Sequence, residues 1–599
     1  MHVIATAGHV DHGKSTLVRA LTGMEPDRLE EERRRGLTIE LGFVWTTLDS
    51  DGESPSETVA FVDVPGHHRF LSTMLAGVGP VPAALLVVAA DGGWEAQTGE
   101  HAAALNALGV QHGLVAITRS DLADPEPVRT DVLKRLQSTS FGGDGLEAIA
   151  VSARTGEGLP ELRAALLRLT GSLPAPERSG RVRLWVDRTF TIGGAGTVIT
   201  GTLGEGTLRV GDDLELAGRD GVRAVRVRSL QSLGRSEQEV GAVSRVAINL
   251  RGISVAEVSR GDALLTPGAD LRTREVDVTL EAASEQIDAL PAELVLHIGA
   301  ASVPVRLRPL GAGFARLSLD WALPLRRGDR ALLRDPGRQS VAAALIVTDL
   351  EPPALNRRGA ARERSQALNR GVDLVAEVSR RGAIQRSALA RLGLLPSDAV
   401  LPNGLREVRG RVVTDADWER WKIRLREVVE EARKSDPLSQ GLAAAEAASR
   451  AAIPANELVE PLAQAAKLQM RAGRVSGIDA LPPAAQAAVD QLVKRLRADP
   501  FDAPDAGDLA AAGMTPQMLA AAERHGLLMR LVGNTGPVVL LPNAPDEALA
   551  RLAALGSPFT VSDARGALGT SRRIAVPLLE HLDATRRTRR VDATTRVVV

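Results

Sequence analysis

Among the sequence patterns of this chain, GHVDHGKS, from Gly8 to Ser15, is compatible with the fewest local folds. It fits the phosphate-loop pattern G-x-x-x-x-G-K-[ST]. It lies between a strand-like apolar run and a helical pattern. In such a loop the backbone N–H groups point at a phosphate, Lys14 reaches the outer phosphate oxygens, and the Ser15 hydroxyl ligates magnesium. The following helix points its N-terminus at the same charge. The segment therefore predicts an α/β domain that binds a nucleotide together with Mg²⁺.

Short apolar runs in residues 1–172 alternate with helical or loop segments. The runs are HVIATAG, TVAFVDV, AALLVVAA, HGLVAITRS and EAIAVSA. This alternation is typical of a parallel sheet with crossover helices. It predicts one nucleotide-binding domain over residues 1–172.

Two further segments predict how the γ-phosphate and the magnesium ion are held. In DVPGH, Asp63 ends a strand, where a carboxylate that contacts the magnesium ion through one of its other ligands belongs. The Gly66 N–H of the same segment can contact the γ-phosphate. In RRRGLTIELGF, Thr38 is the candidate second magnesium ligand, on a loop ordered only while the γ-phosphate is present. The charged run RRRG alone would be interpreted as solvated surface.

The segments ITRSD and SAR predict that the base is guanine. The carboxylate of Asp121 can accept hydrogen bonds from guanine N1 and the exocyclic amine, which adenine cannot offer, and the second segment can present a backbone N–H to guanine O6. Four motifs in this order predict a GTPase that binds GTP and GDP. The predicted nucleotide-binding residues are Gly8, His9, Val10, Asp11, His12, Gly13, Lys14, Ser15, Thr16, Gly66, Thr118, Arg119, Asp121, Ser152, Ala153 and Arg154.

In the rest of the chain the hydrophobic pattern and the content of glycine and proline change twice. Residues 181–268 and 271–352 carry short β-rich runs between glycine turns, which predicts two small β-barrels. Glu351 to Arg364, rich in proline and arginine, is predicted to be a linker. In residues 365–599 the pattern predicts an α/β unit of two helices and a short strand that recurs about four times.

Composition limits the function. The 599 residues contain 73 Lys and Arg against 74 Asp and Glu, so any nucleic-acid site must be a local patch. The absence of cysteine excludes disulfides, thiol catalysis and cysteine-ligated metals. No signal peptide and no membrane-spanning run are evident, so we expect a cytoplasmic protein without a membrane partner. We also expect a monomer.

Residues 1–350 resemble the translational GTPases, and are similar to elongation factor Tu, in GHVDHGKSTL, RGLTIELGF, DVPGH and AGVGPVPAALLVVAADGGWEAQTGEH. DRLEEERRRGLTIELGF with DVPGHHRFLSTMLAGVG resembles most closely the bacterial selenocysteine-specific elongation factors. The resemblance implies a multidomain fold of an α/β P-loop GTPase domain, two β-barrels and C-terminal winged-helix repeats. The usual asparagine and lysine before the guanine-binding aspartate are replaced here by Thr118 and Arg119, which leaves guanine selectivity to Asp121.

A catalytic role is predicted for His67. It follows Gly66 directly and can orient the attacking water, the role such residues play in phosphoryl transfer. By resemblance it acts only on the ribosome, and Val10 and Leu37 match the apolar gate that otherwise holds it out. The neighbouring His68 is the alternative.

An aminoacyl pocket is predicted in the first barrel, where VDRTFTIGGAGTVITGTLGEGTLRVGDDLEL resembles the second domain of elongation factor Tu. Asp187 and Arg188 match positions that the resemblance links to selenol recognition. A selenol is ionised at neutral pH, so an arginine can pair with a selenolate where serine offers no charge. Arg251 is the candidate second cation, and a surface ion pair is the alternative interpretation.

The last repeat carries a basic surface. Between Phe559 and Val599, eight arginines face four acidic residues. TVSDARGALG and TSRRIAVPLLEHLD are predicted helices, the second with Thr570 or Ser571 as its N-cap, and a wing is predicted after them. Cations in the first turn of a helix oppose its dipole, which a nearby phosphate backbone would explain. The predicted RNA-binding residues are Arg572, Arg573, Arg586, Arg587, Arg589 and Arg590.

Together these features predict a factor that uses GTP to deliver selenocysteinyl-tRNA to the ribosome at UGA codons, with a tail that binds an mRNA hairpin. The first alternative is another translational GTPase, of the initiator or general aminoacyl-tRNA type. A solvated basic surface is the plainer interpretation of the tail. Because winged helices more often bind DNA, a nucleotide-regulated DNA-binding protein is a further alternative.

Overall fold

The computed structural model describes residues 1–26, 38, 40–48, 56–66, 71–79, 81–142, 145–193, 196–281, 287, 289–338, 340–436, 438–477, 481–533, 536–556 and 558–599. These residues form two compact units, one of Met1–Asp373 with Ser387–Ala399 and one of Leu374–Arg386 with Val400–Val599. Among the residues described, no helix combines the length and the apolar character needed to cross a bilayer.

The first unit begins with a six-stranded sheet flanked by helices. Its strands are β1 (His2–Ala7), β2 (Gly42–Leu48), β3 (Glu57–Asp63), β4 (Ala83–Ala89), β5 (His112–Thr118) and β6 (Glu147–Ala150). Its helices are α1 (Lys14–Thr22), α2 (Leu71–Val78), α3 (Ala96–Ala107), α4 (Glu126–Leu136) and α5 (Leu159–Ser172), with a short 3-10 turn at Ser140–Gly142.

The strand order is β2-β3-β1-β4-β5-β6, and every neighbouring pair is parallel except β2 with β3. The predicted parallel sheet is confirmed. Strand β4 is buried along its whole length, as a strand covered on both faces must be. The sequence analysis missed the edge strand β2, whose half-buried, threonine-containing pattern is weaker. Because parallel strands share one carboxyl edge, the loops after β1, β3, β5 and β6 meet there.

A second sheet follows in the first unit. Its strands are β7 (Arg183–Trp185), β8 (Arg188–Ile192), β9 (Gly196–Leu203), β10 (Thr207–Arg209), β11 (Asp213–Gly218), β12 (Gly221–Ser232), β13 (Arg235–Glu237), β14 (Glu239–Gly241), β15 (Ser244–Arg251) and β16 (Ala263–Leu265), with a 3-10 turn at Val255–Glu257. The main order is β7-β16-β11-β12-β15-β9-β8, β13 adds to β12, and β10 pairs with β14. The Asp187 N–H donates to the Thr200 carbonyl at 3.0 Å, which brings the end of β7 to β9.

The next sheet is a closed barrel. Its strands are β17 (Leu271–Glu281), β18 (Glu293–Ile298), β19 (Ala301–Gly311), β20 (Phe314–Leu325), β21 (Arg330–Asp335) and β22 (Ser340–Asp349). They pair antiparallel in the order β17-β20-β19-β18-β21-β22. This agrees with the second predicted barrel.

The predicted linker is partly wrong, because helix α6 (Ala360–Asn369) begins inside it. Arg364 on that helix is buried and ion-paired with Asp277 at 2.6 Å and with Asp349 on the closed barrel. Arg316 pairs with the same Asp277 at 2.7 Å. Buried charges are tolerated when they are paired in this way, so α6 is attached to the barrel by ion pairs.

The tail repeats a pattern of helices, short strands and a hairpin four times along the described residues. The first repeat consists of α7 (Leu374–Arg381), β23 (Ile384–Gln385), α8 (Arg386–Arg391), β24 (Leu405–Val408) and β25 (Arg411–Thr414). The second consists of α9 (Asp415–Ser435), β26 (Leu442–Ala443), α10 (Ala444–Arg450), a 3-10 turn (Asn456–Leu458), α11 (Val459–Ala465), β27 (Gln469–Arg471) and β28 (Arg474–Ser476).

The third repeat consists of α12 (Pro483–Ala498), α13 (Ala506–Ala511), α14 (Pro516–Arg524), β29 (Met529–Leu531) and β30 (Val538–Leu540). The last consists of α15 (Ala544–Ala553), β31 (Phe559–Thr560), α16 (Val561–Leu568), α17 (Arg572–Ala584), β32 (Thr588–Arg590) and β33 (Thr595–Val598).

Candidate functional site

The loop between β1 and α1 has the backbone that phosphate binding requires. Gly8 has φ +131°, and a Cβ there would lie 2.1 Å from the Val87 carbonyl oxygen, so a side chain is excluded. Gly13, with φ 78°, is the N-cap of α1. The loop therefore leads directly into the N-terminus of α1.

Lys14 holds the loop together from inside. Its ammonium group donates to the carbonyls of Gly8 at 3.1 Å and His9 at 2.7 Å. Gly66 lies against the same group, since a Cβ on Gly66 would be 2.6 Å from Lys14 Nζ. The structure thus brings Gly66 from the end of β3 to the phosphate loop.

The three predicted magnesium ligands lie together. Ser15 Oγ donates to Asp63 Oδ2 at 2.7 Å and lies 2.9 Å from Thr38 Oγ1. Thr6 Oγ1 donates to the other oxygen of the buried Asp63 at 2.7 Å and fixes that carboxylate. Two hydroxyls and a carboxylate are hard oxygen donors, the type that Mg²⁺ prefers, so the residues present fit this ion.

The predicted base-binding residues lie at the ends of β5 and β6. The hydroxyl of Thr118 donates to the His12 carbonyl at 2.7 Å, so this threonine ties β5 to the phosphate loop. Arg119, with φ 56°, pairs with Asp91 at 3.0 Å. The Asp121 carboxylate accepts from Arg154 at 2.6 and 2.9 Å.

The Asp121 carboxylate is held in its ionised form. Hydrogen bonds from the Ser152 hydroxyl and then from Arg154 hold the pKa of the Asp121 carboxyl below its usual range. Ser152 is itself fully buried. An ionised carboxylate is acceptor-only, which is the property that guanine recognition needs.

The sequence analysis missed two residues of α3. Gln97 accepts from the Val10 N–H at 3.2 Å, and Nδ1 of His101 accepts from the Gly8 N–H at 3.0 Å. Burial, with the charge of Lys14 next, lowers the pKa of His101 to about 3, so this ring is neutral and can accept. The sequence signal that could have identified these two residues is their spacing of four positions in QTGEH, which places both side chains on one face of α3.

Some predicted residues lie outside the described part of the chain. They are the catalytic candidate His67, its alternative His68, and the gate residue Leu37. The other gate residue, Val10, is described, and its N–H is the one bound by Gln97. The prediction for His67 therefore rests on the sequence.

Arg188, a residue of the predicted aminoacyl pocket, lines a cavity of about 250 Å³ between β2 and the second sheet. Leu41, Phe43 and Trp45 line one side, and Arg188 and Arg245 line the other. The structure thus places Arg188 at a cavity that also contacts the nucleotide-binding domain.

The second cation at this cavity is Arg245, and not Arg251. Arg245 is buried and pairs with Asp187, with Nη2 2.8 Å from Oδ1. Thr200 donates to the same carboxylate at 2.7 Å. Arg251 lies six residues further along β15, exposed and in register with Arg226. The prediction of Arg251 is therefore corrected to Arg245.

Four family models match the chain. The elongation factor Tu GTP-binding domain matches residues 1–172, and elongation factor Tu domain 2 matches residues 196–265. The β-barrel domain of selenocysteine-specific elongation factor matches residues 273–354, and the winged helix of elongation factor SelB matches residues 550–597.

Two curated relatives agree with these matches. The chain is 32% identical over 383 residues to elongation factor Tu 2 of Streptomyces avermitilis, covering 58% of this chain and 96% of that protein. It is 39% identical over 360 residues to the selenocysteine-specific elongation factor of Escherichia coli (strain K12), covering 59% of this chain and 56% of that protein. The chain belongs to the translational GTPases, in the branch of the selenocysteine-specific elongation factors. The match spans a little over half the length of these selenocysteine-specific relatives.

A solved structure shares the whole fold of this translational GTPase. The crystal structure of a bacterial selenocysteine-specific elongation factor, EF-Sec, covers 100% of both chains with a TM-score of 0.79 and 24% sequence identity. The likeness extends to the tail, where the curated relatives do not match over most of the length. It shows that the two proteins share an architecture of a nucleotide-binding domain, β-barrels and winged helices.

The last winged helix of this translational GTPase has the predicted elements. Ser571 is the N-cap of α17, and strands β32 and β33 form the wing. Arg572, Arg586 and Arg589 are exposed, and within the described residues none of their side chains makes a hydrogen bond or ion pair. These three arginines are the part of the predicted basic surface whose guanidinium groups have no partner among the described residues.

The other three predicted arginines have structural partners. Arg573 donates to the carbonyls of Ala503 and Pro504, the latter at 3.3 Å, and so ties α17 to the preceding repeat. Arg587 pairs with Asp546 on α15. Arg590 lies 3.3 Å from Asp583 on α17. Because their guanidinium groups are already engaged, these residues fit the predicted RNA contact less well.

Proposed function

We propose that this protein is a GTP-hydrolysing translation factor that carries selenocysteinyl-tRNA to the ribosome at UGA codons and binds an mRNA hairpin through its tail. Arg188 at the cavity beside β2, with the Asp187-bound Arg245 next to it, carries the proposal. A selenolate can enter such a pocket as a counter-ion, whereas the neutral hydroxyl of serine gains less. The proposed location is the cytoplasm.

In the proposed GTPase cycle, the phosphate loop and Lys14 bind the phosphates, and Asp121 selects guanine. Bound Mg²⁺, held by Ser15 and Thr38 with Asp63 behind them, would neutralise charge on the β- and γ-phosphates. Thr38 and Gly66 would lose their phosphate contacts after hydrolysis.

The nucleotide site and the proposed pocket are joined by a short path. Arg188 lies 3.1 Å from the carboxylate of Glu40 and donates to the Leu41 carbonyl, in the segment that follows Thr38. A rearrangement of Thr38 after hydrolysis would therefore move groups that contact Arg188. This path gives a physical reason for the tRNA to be released when GTP is cleaved.

Replacing Arg188 by alanine is expected to weaken selenocysteinyl-tRNA about 10- to 100-fold while leaving serine-charged tRNA nearly unchanged, since one hydrogen bond to a charged group is lost. The measurement is binding of both charged tRNAs to the GTP form. Arg251→Ala is the matched control, because Arg251 is an exposed arginine of the same sheet. Equal loss for both tRNAs would remove Arg188 from amino-acid recognition and favour a general aminoacyl-tRNA carrier.

Replacing Arg572 and Arg589 together by alanine is expected to weaken binding of a UGA-adjacent hairpin and to lower its salt slope by somewhat under two units, since two phosphate contacts are lost. The full chain is titrated with the RNA hairpin and with duplex DNA of the same sequence at several salt concentrations. Arg497→Ala, an exposed arginine on α12, is the control. An unchanged slope contradicts the proposed surface, and preference for DNA favours the nucleotide-regulated DNA-binding alternative.

A further inference from the structure

Three side chains with metal-binding atoms converge beside the phosphate loop, outside the oxygen cluster of Ser15. They are His9 and His12 of the loop and Glu95, which directly precedes α3. Their donor atoms all lie within 4.8 Å of one another. Nε2 of His9 is 3.1 Å from the Glu95 carboxylate, and Nε2 of His12 is 3.9 Å from its other oxygen.

His12 has an unusual environment. It is only 2% exposed, and within the described residues neither ring nitrogen has a partner with good hydrogen-bond geometry, the Val87 backbone making at most a poorly aligned contact. Burial, and then the neighbouring His9, lowers the pKa of His12 to about 4, against the weaker opposing effects of the Val87 backbone and Glu95. The ring is therefore neutral at pH 7, with a nitrogen lone pair available, and neutral imidazole is the form that ligates metals. A buried polar group with no partner costs stability, so it calls for an explanation.

Neither the cap of α3 nor the nearest glycine blocks the cluster. Glu95 is the N-cap residue of α3, yet its side chain makes no capping hydrogen bond, so the carboxylate remains available. Position 92 is glycine, and a Cβ there would lie 3.1 Å from His12 Nε2. The side chain of Glu95 is 43% exposed, which opens the cluster to solvent on that side.

We propose that His9, His12 and Glu95 form a binding site for a divalent transition-metal ion, Zn²⁺ above all, with water as the fourth ligand. Ligand atoms of a tetrahedral zinc site with bonds of about 2.0–2.1 Å lie about 3.3–3.4 Å apart. The 3.1 Å between His9 Nε2 and one Glu95 oxygen is close to that spacing, whereas His12 Nε2, at 3.9 Å from the other oxygen, would have to move closer on binding. Two imidazoles and one carboxylate favour zinc or cobalt over magnesium, which prefers oxygen donors.

The site has a direct mechanical connection to nucleotide binding. The His9 carbonyl accepts from Lys14 at 2.7 Å, and the His12 carbonyl accepts from Thr118 at 2.7 Å. A metal ion that joins both side chains to Glu95 fixes the backbone that carries these carbonyls. We therefore expect a bound ion to slow the release of GDP.

The test is a Co²⁺ titration of the full-length, metal-stripped chain, followed by visible absorption and by competition with Zn²⁺. One equivalent of Co²⁺ is expected to give the intense bands of a four-coordinate ion, and Zn²⁺ to abolish them. Glu95→Gln, which preserves shape, and His12→Ala are each expected to weaken binding at least about tenfold. His112→Ala, at the start of β5, is the control for the other histidines of the chain.

Two results would overturn the proposal. One is cobalt binding that neither Glu95→Gln nor His12→Ala weakens, which would place the ion on other histidines. The other is displacement of Co²⁺ by excess Mg²⁺, which would place it at Ser15 and Asp63. The cobalt spectrum tests the metal site independently of the proposed function. In the second readout, Zn²⁺ is expected to slow GDP release in the wild type and not in Glu95→Gln. This second readout rests on the proposed nucleotide site.

Discussion

Replacing Asp121 by asparagine is expected to weaken GTP binding at least about 100-fold and to make XTP the preferred nucleotide. The carboxylate is an acceptor for two guanine hydrogen bonds, and each bond to a charged group contributes about 1.5–3 kcal/mol. The amide of asparagine presents a donor, which faces the guanine amine unfavourably but can pair with the carbonyl that xanthine carries at the same position. The geometry supports this role, because Ser152 and Arg154 hold Asp121 ionised at the end of β5.

The measurement is competition of labelled GTP by unlabelled GTP and XTP. Asp124→Asn is the matched control, since Asp124 is an exposed aspartate three residues away. Among the described residues its carboxylate accepts from the Glu126 N–H alone, a role an amide oxygen can take. An unchanged preference for GTP in Asp121→Asn would remove this residue from the base site. The contacts of Thr118 and Arg119 with the carbonyls of His12 and Asp11 would then connect this segment to the phosphate loop.

The His67→Ala variant is expected to bind GTP normally and to lose at least about 100-fold in ribosome-stimulated hydrolysis, the general range for a positioned catalytic group. His67 lies outside the described residues, but the adjacent Gly66 lies against the phosphate loop, within contact of Lys14 and Val10. Gly66 therefore lies next to the place where the γ-phosphate would lie, which supports the prediction made from the sequence for the residue after it. The residue would act by orienting the attacking water.

Single-turnover hydrolysis with and without ribosomes measures this effect. His68→Ala is the control, because it removes the neighbouring imidazole from the same segment. If His68→Ala loses the stimulated rate and His67→Ala keeps it, the two assignments are reversed. If both variants keep it, the ribosome supplies the group that orients water.

The sequence by itself determined the features in which chemistry depends on local spacing. The phosphate loop, Asp63, and Asp121 each lie within a few residues of a strand end, and parallel strands bring such ends to one edge whatever the rest of the chain does. The strand-and-helix alternation of residues 1–172 and the two following barrels were predictable for the same reason, since periodicity and turn residues specify elements locally.

Only the tertiary structure decided which distant side chains meet. Arg245 and Arg251 are six residues apart on β15, so the period of two places both on the same face, about 20 Å apart along the strand. The pairing of β15 with β9 is what brings Arg245, and not Arg251, to Asp187. In the same way Arg573 is engaged by the preceding repeat, and His12 and Glu95 meet through the packing of α3 against the sheet. These contacts depend on register and packing between elements far apart in sequence, which a local pattern does not encode.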